Sequence, residues 1–186
     1  MIKQIINLET VDSTQTLAKE MARNGAAGGT LIIAKTQTAG RGQFERGWDS
    51  RAGGLYFSLI LPPEKQITQT SALTVKIAEV VCEVLSKMYG IKSKIKQPND
   101  VLAWNPAKKE WQKICGILTE SATEGGKTEW IVTGVGINLN NSLAKNLPAT
   151  SVKKLLGRAA ATEDFQKEFF ALLSTRHAQW LKSVCV

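Results

Sequence analysis

Residues 111–140 read WQKICGILTE SATEGGKTEW IVTGVGINLN, and the fold class can be predicted from them. Two runs rich in β-branched residues, 111–121 and 129–140, flank a Glu-Gly-Gly-Lys turn signal at 124–127. Apolar runs of this length on either side of a short glycine turn are typical of a β-hairpin. The stretch therefore predicts two neighbouring antiparallel strands.

The rest of the chain alternates further strands with helices. No linker, repeat or low-complexity tract divides it, so residues 1–186 are predicted to form one domain. Strands grouped in hairpins with helices between some of them predict an α+β fold with a mainly antiparallel sheet. The further predicted strands are 3–8, 30–35, 54–61, 91–96 and 101–104, and the predicted helices follow Asp12-Ser13-Thr14 and occupy about 68–89, 151–156 and 162–184.

The composition excludes several classes of protein. With 186 residues, of which 43% are hydrophobic, the chain can bury one core, and it has no apolar run of about 18 residues that would predict a membrane span. Three cysteines without a CxxC spacing indicate a reduced, cytoplasmic setting. A single histidine, His177, argues against a histidine-rich metal site or a Ser-His-Asp triad.

The formal net charge of +8 indicates anionic partners without identifying them. Residues 87–113 contain seven lysines against Asp100 and Glu110. A solvated basic face, a phosphate-handling site and an acidic protein partner are all compatible with this cluster. A nucleic-acid-binding domain is a weaker alternative, because no aromatic residues alternate with the lysines as on a base-stacking surface.

A glycine-rich loop, TQTAGRGQFERGW at residues 36–48, follows the predicted strand 30–35. Its glycines allow the backbone to approach a ligand closely, and its arginines suit carboxylate and phosphate oxygens. Trp48 adds a large flat face. The loop predicts a site for an anionic, partly apolar small molecule, although a solvated turn with incidental arginines has the same composition. It is not a dinucleotide fingerprint, since GxGxxG fails.

Three later segments add polar groups at strand ends. The turn 96–100, KQPND, can direct an amide and a carboxylate outward, or can be an ordinary tight turn. Lys113 enters an apolar strand and can hold its ammonium over a site, or can extend to solvent. Gly134 and Gly136 lie two apart on one strand face, where a ligand or another backbone can come close.

Taken in order, these segments resemble the catalytic domain of biotin protein ligases over roughly residues 5–140. The resemblance implies a fold related to class II aminoacyl-tRNA synthetases, in which a mixed sheet is backed by helices. It also implies the reaction of biotin with ATP and Mg²⁺ to biotinyl-5′-AMP. A lysine of a biotin carboxyl carrier domain then receives the biotinyl group.

The resemblance also implies roles for individual residues. It assigns catalysis to Arg41, Lys113 and Asp100. It assigns no metal-binding residue, because Mg²⁺ enters with ATP. Biotin binding falls to Ser13, Thr14, Gln37, Gly40, Arg41, Gly42, Lys113 and Gly116, and ATP or adenylate binding to Gln43, Arg46, Trp48, Asn99, Asp100, Lys113 and Asn138.

The sequence departs from the family pattern at several positions. Gln15 stands where asparagine is usual, Gln43 where arginine is frequent, Glu45 where glycine is frequent, and Gln97 where tryptophan is usual. The chain has no room for the DNA-binding domain of the bifunctional repressor type or for the small C-terminal β-barrel of the family. A monofunctional enzyme that binds no DNA or membrane is therefore expected, with a homodimer possible.

Two alternatives to a biotin ligase stay open. A lipoate or octanoate ligase or transferase belongs to the same superfamily. A non-catalytic biotin- or nucleotide-binding module would retain the site without the reaction.

Overall fold

A computed structural model describes residues 2–62, 70–125, 127–144 and 147–184, with the backbone alone for Glu45 and for residues 177–184. Its described strands form one seven-stranded sheet in the order β1-β2-β3-β7-β6-β5-β4. The β1–β2 pair is parallel, and the other pairs are antiparallel. The strands are β1 (Gln4–Val11), β2 (Thr30–Gln37), β3 (Leu55–Leu61), β4 (Ser93–Lys96), β5 (Asp100–Asn105), β6 (Glu110–Glu124) and β7 (Lys127–Ile137).

Helices cover both faces of this sheet. The first, α1, packs against β3 and β7 on one face, while α2 packs on β6 and also contacts α4 on the other. Two separate apolar clusters result, a small one beneath α1 and a large one beneath α2 and α4. The helices are α1 (Thr14–Arg23), α2 (Thr70–Tyr89), α3 (Val152–Leu156) and α4 (Thr162–Val184).

The central strand β3 is buried along its whole length because helices lie on both sides of it. Its Phe57 ring lies 5.5 Å from the ring of Phe169, and Phe169 stacks on Phe165 at 6.4 Å between ring centroids. All three side chains are fully buried. This aromatic cluster joins α4 to the middle of the sheet and holds the strands that carry the site.

The start of α1 fixes where the loop before it meets the sheet. Ser13 is the N-cap residue, and its hydroxyl accepts a hydrogen bond from the Thr16 backbone N–H. Just past the helix, Gly25 takes φ +85°, a left-handed conformation that glycine adopts without strain. The first turn of the helix is buried against β3 and β7.

The predicted α+β class with a mixed, mainly antiparallel sheet and supporting helices is confirmed. The hairpin predicted from residues 111–140 is β6–β7, with Glu124 paired to Lys127 across the turn. Residues 68–69 of the predicted second helix lie outside the described residues, as does Gly126 of the turn. Only the backbone of His177 is described.

Candidate active site

The glycine-rich loop folds back on itself as a narrow hairpin over the α1 face of the sheet. Gly42 N–H donates to the Arg46 carbonyl at 2.7 Å, and Trp48 N–H donates to the Gly40 carbonyl at 2.8 Å. At the tip Phe44 has φ +53° and an 84% exposed side chain, which is uncommon for a bulky residue. Arg41 and Arg46 on the two sides of this exposed tip are exposed and line the cleft beneath the loop.

Gly40 serves a different purpose from the other two glycines of this loop. A Cβ on Gly40 would lie 2.5 Å from the Trp48 carbonyl oxygen and 2.7 Å from Ser50 Oγ, so this glycine permits close packing within the loop itself. Gly42 and Gly47, in contrast, line the cleft below.

Trp48 lies flat on two glycines of the central hairpin. A Cβ on Gly116 would be 2.8 Å from Trp48 Cζ3, and a Cβ on Gly136 would collide with Trp48 Nε1. The missing side chains therefore make the space that the indole fills. The indole separates a cleft of about 160 Å³ on the side of α1 from a second cleft of about 300 Å³. Its buried N–H has no hydrogen-bond partner within the described residues.

The cationic part of the site lies beside the indole. Lys113 Nζ is 2.6 Å from Asp100 Oδ1 and 5.1 Å from the centre of the Trp48 ring. The loop adds Arg41 and Arg46 to the lining of the same cleft. Because both members of the Lys113–Asp100 pair are more than half buried, their charges act on a ligand with less screening than surface charges would.

The KQPND turn is attached directly to β6. Asn99 accepts from the Ile117 N–H through its backbone carbonyl at 2.9 Å, and its side-chain amide donates to the Ile117 carbonyl at 3.1 Å. Asp100 is paired with Gly116, and the register shifts between Val101 and Leu102. The turn thereby holds the Asp100 carboxylate over β6, next to Lys113.

A polar cluster occupies the cleft next to α1. It comprises Thr14, Gln15, Gln37 and Ser58, of which all but Gln37 are buried. Gln15 lies over Gly134, where a Cβ would be 2.5 Å from its Oε1. Along β7, Gln15 covers Gly134 and Trp48 covers Gly136, so the polar cluster lies next to the indole.

The hydrogens of this polar cluster can be assigned from its partners. Ser58 Oγ donates to Gln15 Oε1 at 3.1 Å, which uses its one hydrogen. The Thr14 hydroxyl lies 3.0 Å from Ser58 Oγ and 3.1 Å from Gln37 Oε1, so its hydrogen goes to one of those acceptors. Gln37 Oε1 also accepts from the Thr14 backbone N–H at 2.8 Å. The four oxygens therefore present lone pairs, and no uncommitted hydrogen, to a ligand.

The second cleft lies between Trp48 and the segment after β7. Asn138 and the apolar residues Leu143, Leu147, Pro148 and Ala149 line it, together with Lys113 and Asp100. The Lys113 backbone pairs with this segment, because its N–H donates to the Pro148 carbonyl at 3.1 Å and its carbonyl accepts from Thr150 at 2.9 Å. Lys113 and Asp100 thus face both clefts.

Other titratable groups do not form a separate site. In the described part of the chain, no group of three His, Cys, Asp or Glu side chains could hold a metal ion. Burial raises the pKa of the Cys115 thiol, which keeps it protonated and unreactive. None of the described helices is both long and apolar enough to cross a membrane.

Most residues predicted for the site line one of these two clefts. Ser13 is instead buried as a helix cap, and Gly40 packs inside the loop; neither lines a cleft here. Asn138 lines the second cleft only. Sequence reasoning gave no site role to Gln15 or Ser58. A serine within the apolar run YFSLIL was the available signal for Ser58. The predicted residues in the first cleft are Thr14, Gln37, Arg41, Gly42, Gln43, Arg46, Trp48, Asn99, Asp100, Lys113 and Gly116.

The fold and the site together define an α+β domain in which acceptor oxygens and cationic side chains line one cleft. Residues 8–138 match the Biotin/lipoate A/B protein ligase family, and the chain belongs to that family.

Relatives and solved structures agree with this membership. The chain is 39% identical over 141 residues to the bifunctional ligase/repressor BirA of Bacillus spizizenii, a match that covers 75% of this chain and 42% of that protein. It is 30% identical over 181 residues to the biotin–[acetyl-CoA-carboxylase] ligase of Paracoccus denitrificans, covering 93% of this chain and 71% of the relative. Its structure resembles biotin protein ligase from Aquifex aeolicus in complex with biotin and ATP, with TM-score 0.79 and 28% identity, over 94% and 70% of the two chains.

Proposed function

We propose that this protein is a biotin ligase, which activates biotin with ATP and transfers it to a lysine of a biotin carboxyl carrier domain. The observation that supports this most is that the first cleft combines a cluster of acceptor oxygens with cationic side chains. Four oxygens that act as acceptors, from Thr14, Gln15, Gln37 and Ser58, suit the N–H groups of a cyclic urea. The cationic side chains of the same cleft, Arg41, Arg46 and Lys113, suit the carboxylate at the other end of biotin.

The first half-reaction joins two anions, and the cationic side chains are placed to offset their repulsion. A biotin carboxylate oxygen attacks the α-phosphorus of ATP, a new O–P bond forms, and the bond to pyrophosphate breaks. Lys113, beside Asp100 at 2.6 Å, faces both clefts and would stabilise the charge that develops on the phosphate. Arg41 would hold the carboxylate from the loop, and no protein nucleophile is needed.

The nucleotide would occupy the second cleft. Its apolar lining suits a base, and Asn138 and Arg46 suit ribose and phosphate oxygens. Mg²⁺ would enter with ATP, bound chiefly by phosphate oxygens, with the Asp100 carboxylate available to it; the ion supplies charge neutralisation.

The second half-reaction transfers the biotinyl group to a protein. The carrier lysine, as a free amine, attacks the acyl carbon, a C–N bond forms, and AMP leaves with the electrons of the C–O bond. A carrier domain of a biotin-dependent carboxylase is the proposed acceptor, because the Paracoccus denitrificans relative is a biotin–[acetyl-CoA-carboxylase] ligase. The homodimer and the cytoplasmic setting stay predictions.

Biotin-dependent exchange between ATP and pyrophosphate, run with Mg²⁺ beside lipoate and octanoate, tests this proposal without knowledge of the acceptor. Exchange with biotin alone is the expected result. Exchange with lipoate or octanoate only would assign the protein to the other branch of the family. Folded protein that binds biotin but supports no exchange would be a binding module.

Replacing Trp48 with alanine is expected to shorten the lifetime of the enzyme-bound adenylate. The indole lies between the two clefts on Gly116 and Gly136, so its loss would open the acyl-phosphate bond to water. A pulse with labelled ATP and biotin, followed by a chase, measures the decay. Trp111→Ala, which removes a tryptophan that lines neither cleft, is the matched control, and an unaltered lifetime in Trp48→Ala would count against the covering role.

A further inference from the structure

Behind the acceptor cluster lies an ion pair, Lys19–Glu120, that does not line the cleft. Glu120 Oε1 is 2.8 Å from Lys19 Nζ, and Glu120 Oε2 accepts from Gln15 Nε2 at 2.8 Å. The side chains of Lys19 and Glu120 are only 14% and 32% exposed. Neither member of the pair lines the cleft, and Glu120 is connected to it through the hydrogen bond from Gln15.

The Glu120 carboxylate determines which way the Gln15 amide points. Gln15 Nε2 also lies 3.4 Å from the Leu118 carbonyl and 3.5 Å from the Val132 carbonyl, so every hydrogen-bond partner of this NH₂ group is an acceptor. A flipped amide would place Oε1 against a carboxylate and two carbonyls. The NH₂ group is thus held toward Glu120, and Oε1 is held toward Ser58 and the cleft.

The orientation of Gln15 continues through the hydroxyl groups. Because Gln15 Oε1 accepts the Ser58 hydrogen, Ser58 Oγ can only accept from its other neighbours. Thr14, at 3.0 Å, must then be the donor of that pair or give its hydrogen to Gln37. The Glu120 carboxylate thereby sets the polarity of Gln15 and Ser58, while the Thr14 backbone N–H and Ser50 fix the orientation of Gln37.

We propose that Glu120, held by Lys19, is a positioning residue that acts through Gln15 to keep the Gln15 and Ser58 oxygens as acceptors and so makes the enzyme select a ligand with N–H donors. The inference rests on the proposed function, since it specifies how biotin would be distinguished from acids that lack N–H groups at the distal end. Gln15 lines the cleft, whereas Glu120 does not.

The state of the carboxylate suits this task. Burial alone would raise the pKa of Glu120, but hydrogen bonds from Lys19 and Gln15 and the positive charges of Lys19 and Arg41 outweigh it. The net pKa lies below the ordinary value of a glutamate. The group is ionised at neutral pH and offers Gln15 no hydrogen.

Glu120→Gln tests the proposal, because a glutamine at 120 can accept from Gln15 or donate to it. The pocket would then lose its fixed polarity. We expect biotin to bind about tenfold more weakly, with the KM for ATP unchanged. Glu79→Gln is the matched control: it removes the acid of the exposed Lys76–Glu79 pair and should leave both values unchanged.

A biotin analogue whose two ring N–H groups are replaced by oxygen, a cyclic carbonate, separates positioning from general damage. Wild-type protein should bind biotin about a hundredfold or more tightly than this analogue, and in Glu120→Gln this ratio of affinities should be about tenfold smaller. Equal weakening of both ligands, or no change in either, would overturn the inference. Lys19→Gln, which keeps the carboxylate, should narrow the preference less than Glu120→Gln and provides a second variant.

The side-chain amide NMR signals of Gln15, assigned with Gln15→Ala, separate this inference from the proposed function. In ligand-free wild-type protein they should form one sharp pair, and in Glu120→Gln they should broaden or double. Wild-type protein that binds no biotin overturns the proposed function, and these signals then judge the Glu120–Gln15 orientation alone. A single unchanged pair in Glu120→Gln overturns that orientation whether or not biotin binds.

Discussion

Replacing Lys113 with alanine is expected to lower biotin-dependent ATP–pyrophosphate exchange by about 10²- to 10³-fold, the usual effect of removing one group that stabilises developing charge. The ammonium lies 2.6 Å from Asp100 and lines both clefts. Its removal takes away a positive charge and also leaves the Asp100 carboxylate unpaired beside two anionic substrates. The change should therefore appear in the chemical step more than in biotin affinity.

The measurement is steady-state exchange at saturating biotin, together with biotin binding by calorimetry. Lys76→Ala is the control, because Lys76 is half exposed and pairs only with Glu79 in the described structure. Far-UV circular dichroism verifies that Lys113→Ala is folded. An exchange rate within about threefold of wild type in Lys113→Ala would remove this residue from the role.

Replacing Phe169 with alanine is expected to lower the free energy of unfolding by about 3–5 kcal/mol. The ring is fully buried, and it contacts both Phe57 on β3 and Phe165 on α4. Its loss leaves a cavity where α4 joins the middle of the sheet. Since stabilities of whole domains are about 5–15 kcal/mol, a large part of the margin would be lost.

Equilibrium unfolding in urea measures this effect. Phe44→Ala is the matched control, because the Phe44 side chain is 84% exposed and should change stability by less than about 0.5 kcal/mol. If Phe169→Ala unfolds at the wild-type urea midpoint, α4 does not stabilise the sheet in the manner described.

The hairpin β6–β7 and the helix α1 were predictable because local signals agree with the final structure. A glycine turn lies between two β-rich runs, and Ser13 caps the helix at the predicted place. The strand order was not predictable, because pairing β3 with β7 joins segments about 75 residues apart. Nothing local in either strand specifies that partner.

The candidate site likewise has a part that could be predicted from the sequence and a part that could not. Arg41, Trp48 and Lys113 belong to motifs that can be recognised in the sequence, and they line the clefts. The Glu120–Gln15–Ser58 connection was not predictable, because its members are separated by more than 40 residues and meet only when α1 lies across β3, β6 and β7. Its polarity depends on hydrogen positions, which follow from the assembled contacts alone.

The segment between β7 and α3 is hydrogen-bonded to β6 near both of its ends. Asn138 N–H donates to the Ile114 carbonyl, and ten residues later the Pro148 carbonyl accepts from Lys113. Both ends of the segment are therefore anchored to one short stretch of β6. Insertions or deletions between these anchors would reshape the wall of the second cleft while the lysine stays in register. The shape of the second cleft and the position of the Lys113 ammonium can consequently be altered independently of each other, by selection or by design.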